Sequence, residues 1–248
     1  MGQARRQRQA EDKRVCIAYI HPGQVSSFFC ESLLATVLYD AWGHRDRPRR
    51  IQNIYQDWSS ANISEARNRV TRRFLDRQDA DWLLYIDSDM RWSPLDVDAL
   101  LEVADHQDRP IVGGLAFGLM GEELYPTIYH FAEIDGQPTT IRIRNYPRDE
   151  LIKVAATGAA FLLVHRSVLQ AIADRQFNAA FPWFQETQHG DKPVGEDITF
   201  CLRAISAGFP IFVHTGIRIG HHKSQVLTEE MFIKEMAGQA AGGTEEST

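Results

Sequence analysis

Two carboxylates separated by one small residue follow a short apolar segment of the chain. Residues 83–86 are all apolar, which indicates a strand buried on both faces of a sheet, and Asp87, Ser88 and Asp89 come directly after them. Side chains two residues apart in an extended segment point to the same side, so the two aspartates can converge. Carboxylate oxygens at the edge of a sheet suit Mg²⁺ or Mn²⁺ shared with the phosphates of a substrate. A solvated turn is the alternative interpretation.

A second pair of acids, Glu196 and Asp197, follows Gly195 and opens a segment with helical periodicity. Acidic side chains in the first turn of a helix are favoured by the helix dipole, which explains the pair without a catalytic role. The chemical interpretation is that one carboxylate, a weak base with a pKa of about 4 in water, accepts a proton from a substrate hydroxyl. The residues alone leave both interpretations open.

The elements that would position these acids alternate between strand and helix over the first half of the chain. Strands are expected at Val15–Ile20, Ile51–Tyr55, 83–86, Ile111–Leu115 and 211–213, and helices at Phe28–Trp42, 64–76, from Pro94 with Ser93 as its N-cap, from Ser167, and from Glu196 to Ala207 with Gly208 after it. The alternation predicts an α/β fold with a Rossmann-like, mostly parallel central sheet flanked by helices.

The second half of the chain is less regular. Short alternating runs between residues 125 and 146, with Asp135-Gly136 as a turn signal, predict a β-hairpin insertion. Residues 181–191 are aromatic and polar without periodicity, so we expect a mobile loop there. Trp183 and Phe184 in that loop would either close over a ligand or cover the core.

Small and polar residues near the predicted strand ends are candidates for contacting a substrate. The Pro22-Gly23 turn follows the first strand, at the edge of the sheet where α/β proteins bind ligands. Arg67-Asn68, on the second helix, offers a cation and an amide for a base or a phosphate, with a solvated arginine face as the alternative. Gly114 and Gly158 would let a substrate approach the backbone, or would mark tight strand packing.

Composition bounds the class of protein. The 248 residues suffice for one α/β domain, expected at residues 15–235 between a disordered basic tail (1–14) and a disordered tail (236–248). The formal charge of −6 argues against a surface that binds nucleic acid throughout. No apolar run approaches the roughly 18 residues of a membrane span, and residues 1–14 lack the apolar segment of a secretory signal. The three cysteines lack the spacing of a metal site and are expected to be buried thiols rather than disulfides. Such thiols are typical of a reducing compartment, so we expect a soluble cytoplasmic protein.

The Asp-x-Asp segment at Asp87 to Asp89 and the Gly-Glu-Asp segment at 195–197 resemble the GT-A glycosyltransferases. Ala-Arg-Asn at 66–68, followed by a strand and Asp-x-Asp, also looks like a group of glycosyltransferases of which many are phage-encoded. The resemblance runs from about residue 15 to 223. It implies a nucleoside-diphosphate sugar as donor, with a UDP-sugar as the default, and Mn²⁺ or Mg²⁺ as cofactor. The metal would be held by Asp89 with Asp87 and His221, while Asp87 and Ser88 would contact the donor.

The same resemblance implies that Asp197 is the catalytic base toward the acceptor and that Glu196 positions it. An aspartate base is typical of inverting enzymes, whereas subgroups with a C-terminal histidine ligand such as His221 include retaining ones, so the stereochemistry stays open. The acceptor also stays open among phage DNA, a capsid or tail protein, and a glycan, and so does the oligomeric state. The rivals are a nucleotidyltransferase and a non-catalytic nucleotide- or carbohydrate-binding module of the same fold.

Overall fold

A computed structural model of the protein describes residues 13–42, 48–59, 62–121, 123–134, 137–189, 192–224 and 229. The strands are β1 (Val15–His21), β2 (Ile51–Trp58), β3 (Trp82–Asp87), β4 (Met90–Arg91), β5 (Ile111–Leu115), β6 (Phe117–Met120), β7 (Glu123–Pro126), β8 (Ile128–Ile134), β9 (Gln137–Arg142), β10 (Leu151–Val154), β11 (Ala156–Thr157), β12 (Phe161–His165), β13 (Thr187–His189), β14 (Lys192–Val194), β15 (Ile211–Arg218) and β16 (Gly220–His221). The helices are α1 (Ser27–Trp42), α2 (Ile63–Asp76), α3 (Pro94–Val103), α4 (Arg166–Arg175) and α5 (Glu196–Ser206).

Seven strands form one central sheet in the order β10-β15-β5-β12-β3-β1-β2. Five of them run in one direction, but β12 is antiparallel to both β3 and β5, and β10 is antiparallel to β15. The sheet is therefore mixed rather than clearly parallel, with three antiparallel pairs of neighbouring strands that the prediction of a mostly parallel sheet did not include. β11 belongs to a separate sheet with β8 and β9, and residues 158–160 lead from it to the carboxyl edge of β3, where Phe161 pairs with Ile86. The chain consequently re-enters the sheet from the carboxyl edge of β3 and runs backwards.

Helices cover both faces of this sheet, as the sequence predicted. One apolar cluster joins the sheet to α2, α4 and α5, and the other joins it to α1 and α3. The strand β3 contributes side chains to both clusters. Leu83 and Tyr85 lie in the first cluster, and Trp82, Leu84 and Ile86 lie in the second. This alternation places Asp87 on the side of Tyr85, facing α2 and α5.

Local signals at the helix ends are confirmed. Ser93 and Asp96 form a capping box at the start of α3, and Gly208 follows α5 with a φ of +94°, a conformation that glycine adopts without strain. Asn62 caps α2 by accepting a hydrogen bond from the Glu65 amide over 3.0 Å. No helix in the described ranges is both long and apolar enough to cross a membrane.

The predicted hairpin insertion is present as β8 and β9, whose turn residues Asp135 and Gly136 lie outside the described residues. A second hairpin, β6 and β7, precedes it. Residues 181–191, expected to form a mobile loop, include the strand β13, which pairs with β14. Trp183 and Phe184 of this segment are only 3% and 0% exposed. These two aromatic rings therefore belong to the core, and neither is available to stack on a sugar.

The two predicted tails fall almost wholly outside the described residues. The exceptions are Lys13 and Arg14. The ammonium of Lys13 donates hydrogen bonds to the carbonyls of Leu101 and Ala104 over 2.6 Å each, and the Arg14 carbonyl accepts from the amides of Asp81 and Trp82. The end of the basic segment is thus anchored at the C-terminus of α3, where a cation is favoured by the helix dipole.

Candidate active site

A buried arginine holds together the acids that the sequence places on two different elements. Arg67 of α2 is only 5% exposed, and its Nη2 donates a 2.6 Å hydrogen bond to Oδ1 of Asp87 at the end of β3. Its Nη1 donates to the Glu196 carboxylate in the first turn of α5. The guanidinium carbon also lies 5.5 Å from the centre of the Phe184 ring. Arg67 is therefore not part of a solvated arginine face; it ties the carboxyl edge of the sheet to α5.

Asp197 lies beside this ion cluster at the start of α5. Its Oδ1 accepts a 2.7 Å hydrogen bond from the Ile198 amide, and its Oδ2 would lie 3.6 Å from a β-carbon placed on Gly158. Burial, together with the charge of Glu196, raises the pKa of Asp197 to about 6, although Arg67 opposes the rise. A carboxylate with a pKa near neutrality suits a general base, and the glycine leaves space next to it.

A second cluster lies around Asp89, in the turn between β3 and β4. The pairing of β16 with β4 places His221 opposite Met90, and the Nε2 of His221 is 3.0 Å from Oδ2 of Asp89. The Nδ1 of the same ring donates to the Phe117 carbonyl over 2.7 Å. Lys223 donates to the same Asp89 oxygen over 2.9 Å. The contact between Asp89 and His221, 132 positions apart, is the one that the metal prediction requires.

The charges in this second cluster adjust to one another. Burial acts to raise the pKa of Asp89, but hydrogen bonds from His221 and Lys223 prevail and lower it to about 2. Burial likewise acts to lower the pKa of His221, and the bond to Asp89 prevails and raises it. The Asp89 oxygen already accepts from Lys223 and contacts His221, so a metal ion bound there would take the place of these hydrogen bonds.

Asp87 and Asp89 have different partners. The strand ends at Asp87 and residues 88–89 form a turn, so the alternation that predicted their convergence does not extend to Asp89. Asp87 faces Arg67, while Asp89 faces His221 and Lys223. Within the ranges that the structure describes, no three His, Cys, Asp or Glu side chains are grouped so as to hold a metal ion.

The other residues predicted to contact the substrate divide into those that lie at the site and those that have a structural role. The Ser88 carbonyl accepts a 2.9 Å hydrogen bond from the Ser26 amide, which ties the acidic turn to the start of α1. Pro22 is exposed at the mouth of the site and Gly158 borders Asp197. Asn68 and Gly114 have structural roles instead. The amide of Asn68 bonds the backbone of residues 64, 183 and 184, and a β-carbon on Gly114 would lie 2.9 Å from the Ile219 side chain.

Sequence reasoning missed two residues at this edge of the sheet, Trp58 and Lys223. Gly23 has a φ of +109°, and a β-carbon on it would lie 3.0 Å from the Trp58 ring. The space beside Gly23, which the sequence assigned to a nucleotide base, is thus filled by the indole. The sequence signal for Trp58 was an aromatic residue three positions beyond the predicted end of β2. Lys223 was identifiable only by its place two residues after His221.

The sequence matches no family model and no curated protein. Among solved structures, A197 from STIV aligns with a TM-score of 0.55 at 14% identity, covering 85% of this chain and 86% of that one. GalNAc-T7, solved with UDP, GalNAc and Mn²⁺, aligns with a TM-score of 0.54 at 9% identity, covering 84% of this chain. This chain spans only 44% of the GalNAc-T7 chain.

A glycosyltransferase involved in the glycosylation of the major capsid of PBCV-1 also aligns, over 68% of each chain at 14% identity. Its TM-score of 0.36 is too low to show a shared fold. At these identities the likeness to A197 and GalNAc-T7 shows the fold alone. The protein therefore has a GT-A-like α/β fold with a mixed central sheet.

Proposed function

We propose that this protein is a divalent-metal-dependent glycosyltransferase that uses a nucleoside-diphosphate sugar. The observation that carries the proposal is the presence of two charged clusters at one edge of the sheet. The Asp89–His221 pair forms one, and Arg67 with Asp87 and Glu196, beside Asp197, forms the other. Transfer of a sugar needs both a site for a diphosphate-bound cation and a carboxylate for the acceptor proton.

The residues around Asp89 fit a divalent cation of the Mn²⁺ type. A carboxylate and an imidazole are a ligand pair that Mn²⁺ accepts, whereas Mg²⁺ prefers oxygen alone. The Nδ1 of His221 is occupied by the Phe117 carbonyl, which orients Nε2 toward Asp89. A hydrogen bond from the second ring nitrogen to a backbone carbonyl is the usual support of a histidine ligand. Asp89 and His221 would hold the ion, with donor phosphates and water completing its coordination.

The bound cation would neutralise the charge that develops on the departing diphosphate. Asp197 would accept the proton of the acceptor hydroxyl while the acceptor oxygen bonds to the sugar and the bond from the sugar to the diphosphate breaks. Glu196, fixed by Arg67, would orient the acceptor, and Asp87, fixed by the same guanidinium, would face the donor. Gly158 supports this arrangement because it leaves room next to Asp197.

The donor proposed is a UDP-sugar, and the acceptor is left open among DNA, a protein and a glycan. The UDP in the GalNAc-T7 structure belongs to a different protein and is consistent with this choice. The aspartate base and the histidine ligand favour opposite anomeric outcomes. NMR of the product from an identified acceptor would decide between inversion and retention.

The test uses the full chain, stripped of metal and incubated with Mn²⁺ or Mg²⁺ and a panel of UDP- and GDP-sugars. Many transferases hydrolyse their donor slowly without an acceptor, so release of the nucleoside diphosphate is the readout. We expect release with at least one donor, dependence on the metal, and loss of release in Asp89→Asn. The matched control is Asp81→Asn, because Asp81 is an exposed aspartate just before the opposite end of β3.

The same assay separates the two rivals. Pyrophosphate formed from a nucleoside triphosphate would indicate a nucleotidyltransferase. Nucleotide binding with no release from any donor, in the presence of either metal, would indicate a binding module. Absence of metal-linked nucleotide binding and of release would overturn the proposed function altogether.

A further inference from the structure

Arg142, the last residue of β9, carries a positive charge without a carboxylate partner. Across the ranges that the structure describes, no acidic side chain lies close enough to its guanidinium to form a salt bridge. The guanidinium carbon lies 3.6 Å from the centre of the Tyr125 ring, and the residue is only partly exposed. An arginine that is held in place and retains free donors can bind a phosphate or a carboxylate through two parallel hydrogen bonds.

The aromatic ring of Tyr125, on which the guanidinium rests, is fixed by a glycine on the neighbouring strand. Tyr125 of β7 pairs with Gly118 of β6, and a β-carbon on Gly118 would lie 2.6 Å from the phenol oxygen. The absence of a side chain there lets the tyrosine lie across β6. The preceding residue, Phe117, accepts the hydrogen bond from His221. The hairpin that carries Tyr125 is therefore attached to the cluster around Asp89.

The register of the three-stranded sheet relates Arg142 to the proposed base. Ala156 of β11 pairs with Tyr129 of β8, and Tyr129 pairs with Arg142. Directly opposed residues of antiparallel strands share a face, so the three side chains form one row with Tyr129 in the middle. Asp197 lies beside Gly158, which directly follows β11. The base thus lies at the β11 end of the row and Arg142 at the β9 end, and these two strands are about 10 Å apart.

The phenol of Tyr129 is within electrostatic reach of both ends. Burial and the charge of Asp197 raise the pKa of Tyr129, and a hydrogen bond with Arg142 acts against the rise. The same face of β8 continues two residues further on with Phe131, whose side chain is 50% exposed. The surface between the two charged groups therefore consists of aromatic side chains, with a carboxylate on one side and a guanidinium on the other.

We infer that Arg142 binds an anionic group of the acceptor, so that the acceptor is a molecule bearing a phosphate or a carboxylate. This inference rests on the proposed function, in which Asp197 takes the proton of the acceptor hydroxyl, and it adds the chemical class of the acceptor. Such a molecule would lie across Tyr129, with its hydroxyl at Asp197 and its charged group at Arg142. A neutral acceptor would leave the guanidinium unpaired and would bind less tightly.

The experiment compares three sugars with the same ring: glucose 6-phosphate, glucuronate and glucose, which carry a phosphate, a carboxylate and no charge. Their binding is measured by calorimetry to the full chain with UDP and Mn²⁺ already bound. We expect the wild type to prefer a charged sugar to glucose, and the tighter of the two identifies the anion. Arg142→Gln should weaken binding of that sugar by about 10- to 100-fold, because a hydrogen-bonded charge pair is lost. Arg142→Lys, which keeps the charge without the planar fork, should lose less.

The matched control is Arg144→Gln, because Arg144 lies two residues further along and is already paired with Glu123. It should leave binding of all three sugars unchanged. The inference is overturned if the wild type binds the three sugars equally, or if Arg142→Gln binds the charged sugars as the wild type does. A loss of UDP affinity in Arg142→Gln as large as the loss for the charged sugar would assign the cation to the donor and also overturn it.

The proposed function is judged separately, from the metal-dependent release of the nucleoside diphosphate by the wild type. If that release is observed and Arg142 has no effect on the charged sugars, the proposed function stands and only the class of acceptor is withdrawn. A wild type that neither binds UDP nor releases it from any donor overturns both.

Discussion

Replacing Asp197 by asparagine should stabilise the protein at neutral pH while removing its proposed base. The folded state holds the Asp197 proton more tightly than the unfolded state does, because burial and Glu196 raise its pKa to about 6. The protonated carboxyl therefore contributes stability below about pH 4, and this contribution is lost as the pH rises through about 6. Asparagine has nearly the same shape and no charge, so the variant keeps the contribution at every pH.

The magnitude follows from the shift of the pKa. A rise from about 3.9 in the unfolded chain to about 6 corresponds to about 3 kcal/mol. The helix dipole at the start of α5 favours the charged form by about 0.3–1 kcal/mol and offsets part of this. We therefore expect Asp197→Asn to raise the free energy of unfolding by about 2 kcal/mol at pH 8 and by less than about 1 kcal/mol at pH 4.5.

The assay is urea unfolding of both proteins at a series of pH values from 4.5 to 8, followed by donor hydrolysis and transfer at pH 7.5. Asp81→Asn is the control, because Asp81 is exposed and its stability change should be small. A gain of the same size at every pH, or a loss at pH 8, would refute the account of Asp197 as a buried, charged base. Full transfer activity in the variant would refute its catalytic role.

Three further substitutions test the two clusters and the support beneath them. Arg67→Met should lower the free energy of unfolding at pH 7 by about 3–5 kcal/mol, because it leaves two carboxylates unpaired, whereas Arg72→Met should change it by under about 1 kcal/mol; equal effects would contradict the ion cluster. His221→Ala should weaken Mn²⁺-dependent UDP binding more than about 10-fold in calorimetry while His222→Ala does not; equal affinities would exclude a ligand role. Arg166→Met should lower the free energy of unfolding by about 2–4 kcal/mol in urea, since its guanidinium bonds carbonyls at and beyond the end of α2, and should leave UDP affinity unchanged; unaltered stability would contradict this clamp.

Local signals predicted much of the fold. The apolar run before Asp87 is a strand of the central sheet, and the capping residues around Ser93 begin a helix as expected. The direction of β12 was not predictable, because it depends on how the preceding hairpins bring the chain back to the carboxyl edge. No local pattern distinguishes an antiparallel insertion from one more parallel strand when both are apolar on both faces.

The types of residue at the candidate site could be predicted from the sequence, but which side chains contact one another could be predicted less well. Asp197 and Glu196 could be assigned to the first turn of a helix, but their neighbour Arg67 is 129 positions from Glu196. A signal for the burial of Arg67 was present: it lies three residues before Val70 and seven before Phe74, on the buried stripe of α2. The difference in partners between the two aspartates follows from the strand ending at the first of them, and strand ends are the least certain part of a prediction from sequence.

The pairing of β16 with β4 brings His221 to Asp89 after the strands of the central sheet have ended. All seven strands of the central sheet are complete at Arg218, and Ile219 fills the space above Gly114. A chain shortened to end at Ile219 would keep that packing and lose both His221 and Lys223. The proposed histidine ligand thus follows the strands of the central sheet in the chain, whereas its partner Asp89 lies among them, in the turn after β3.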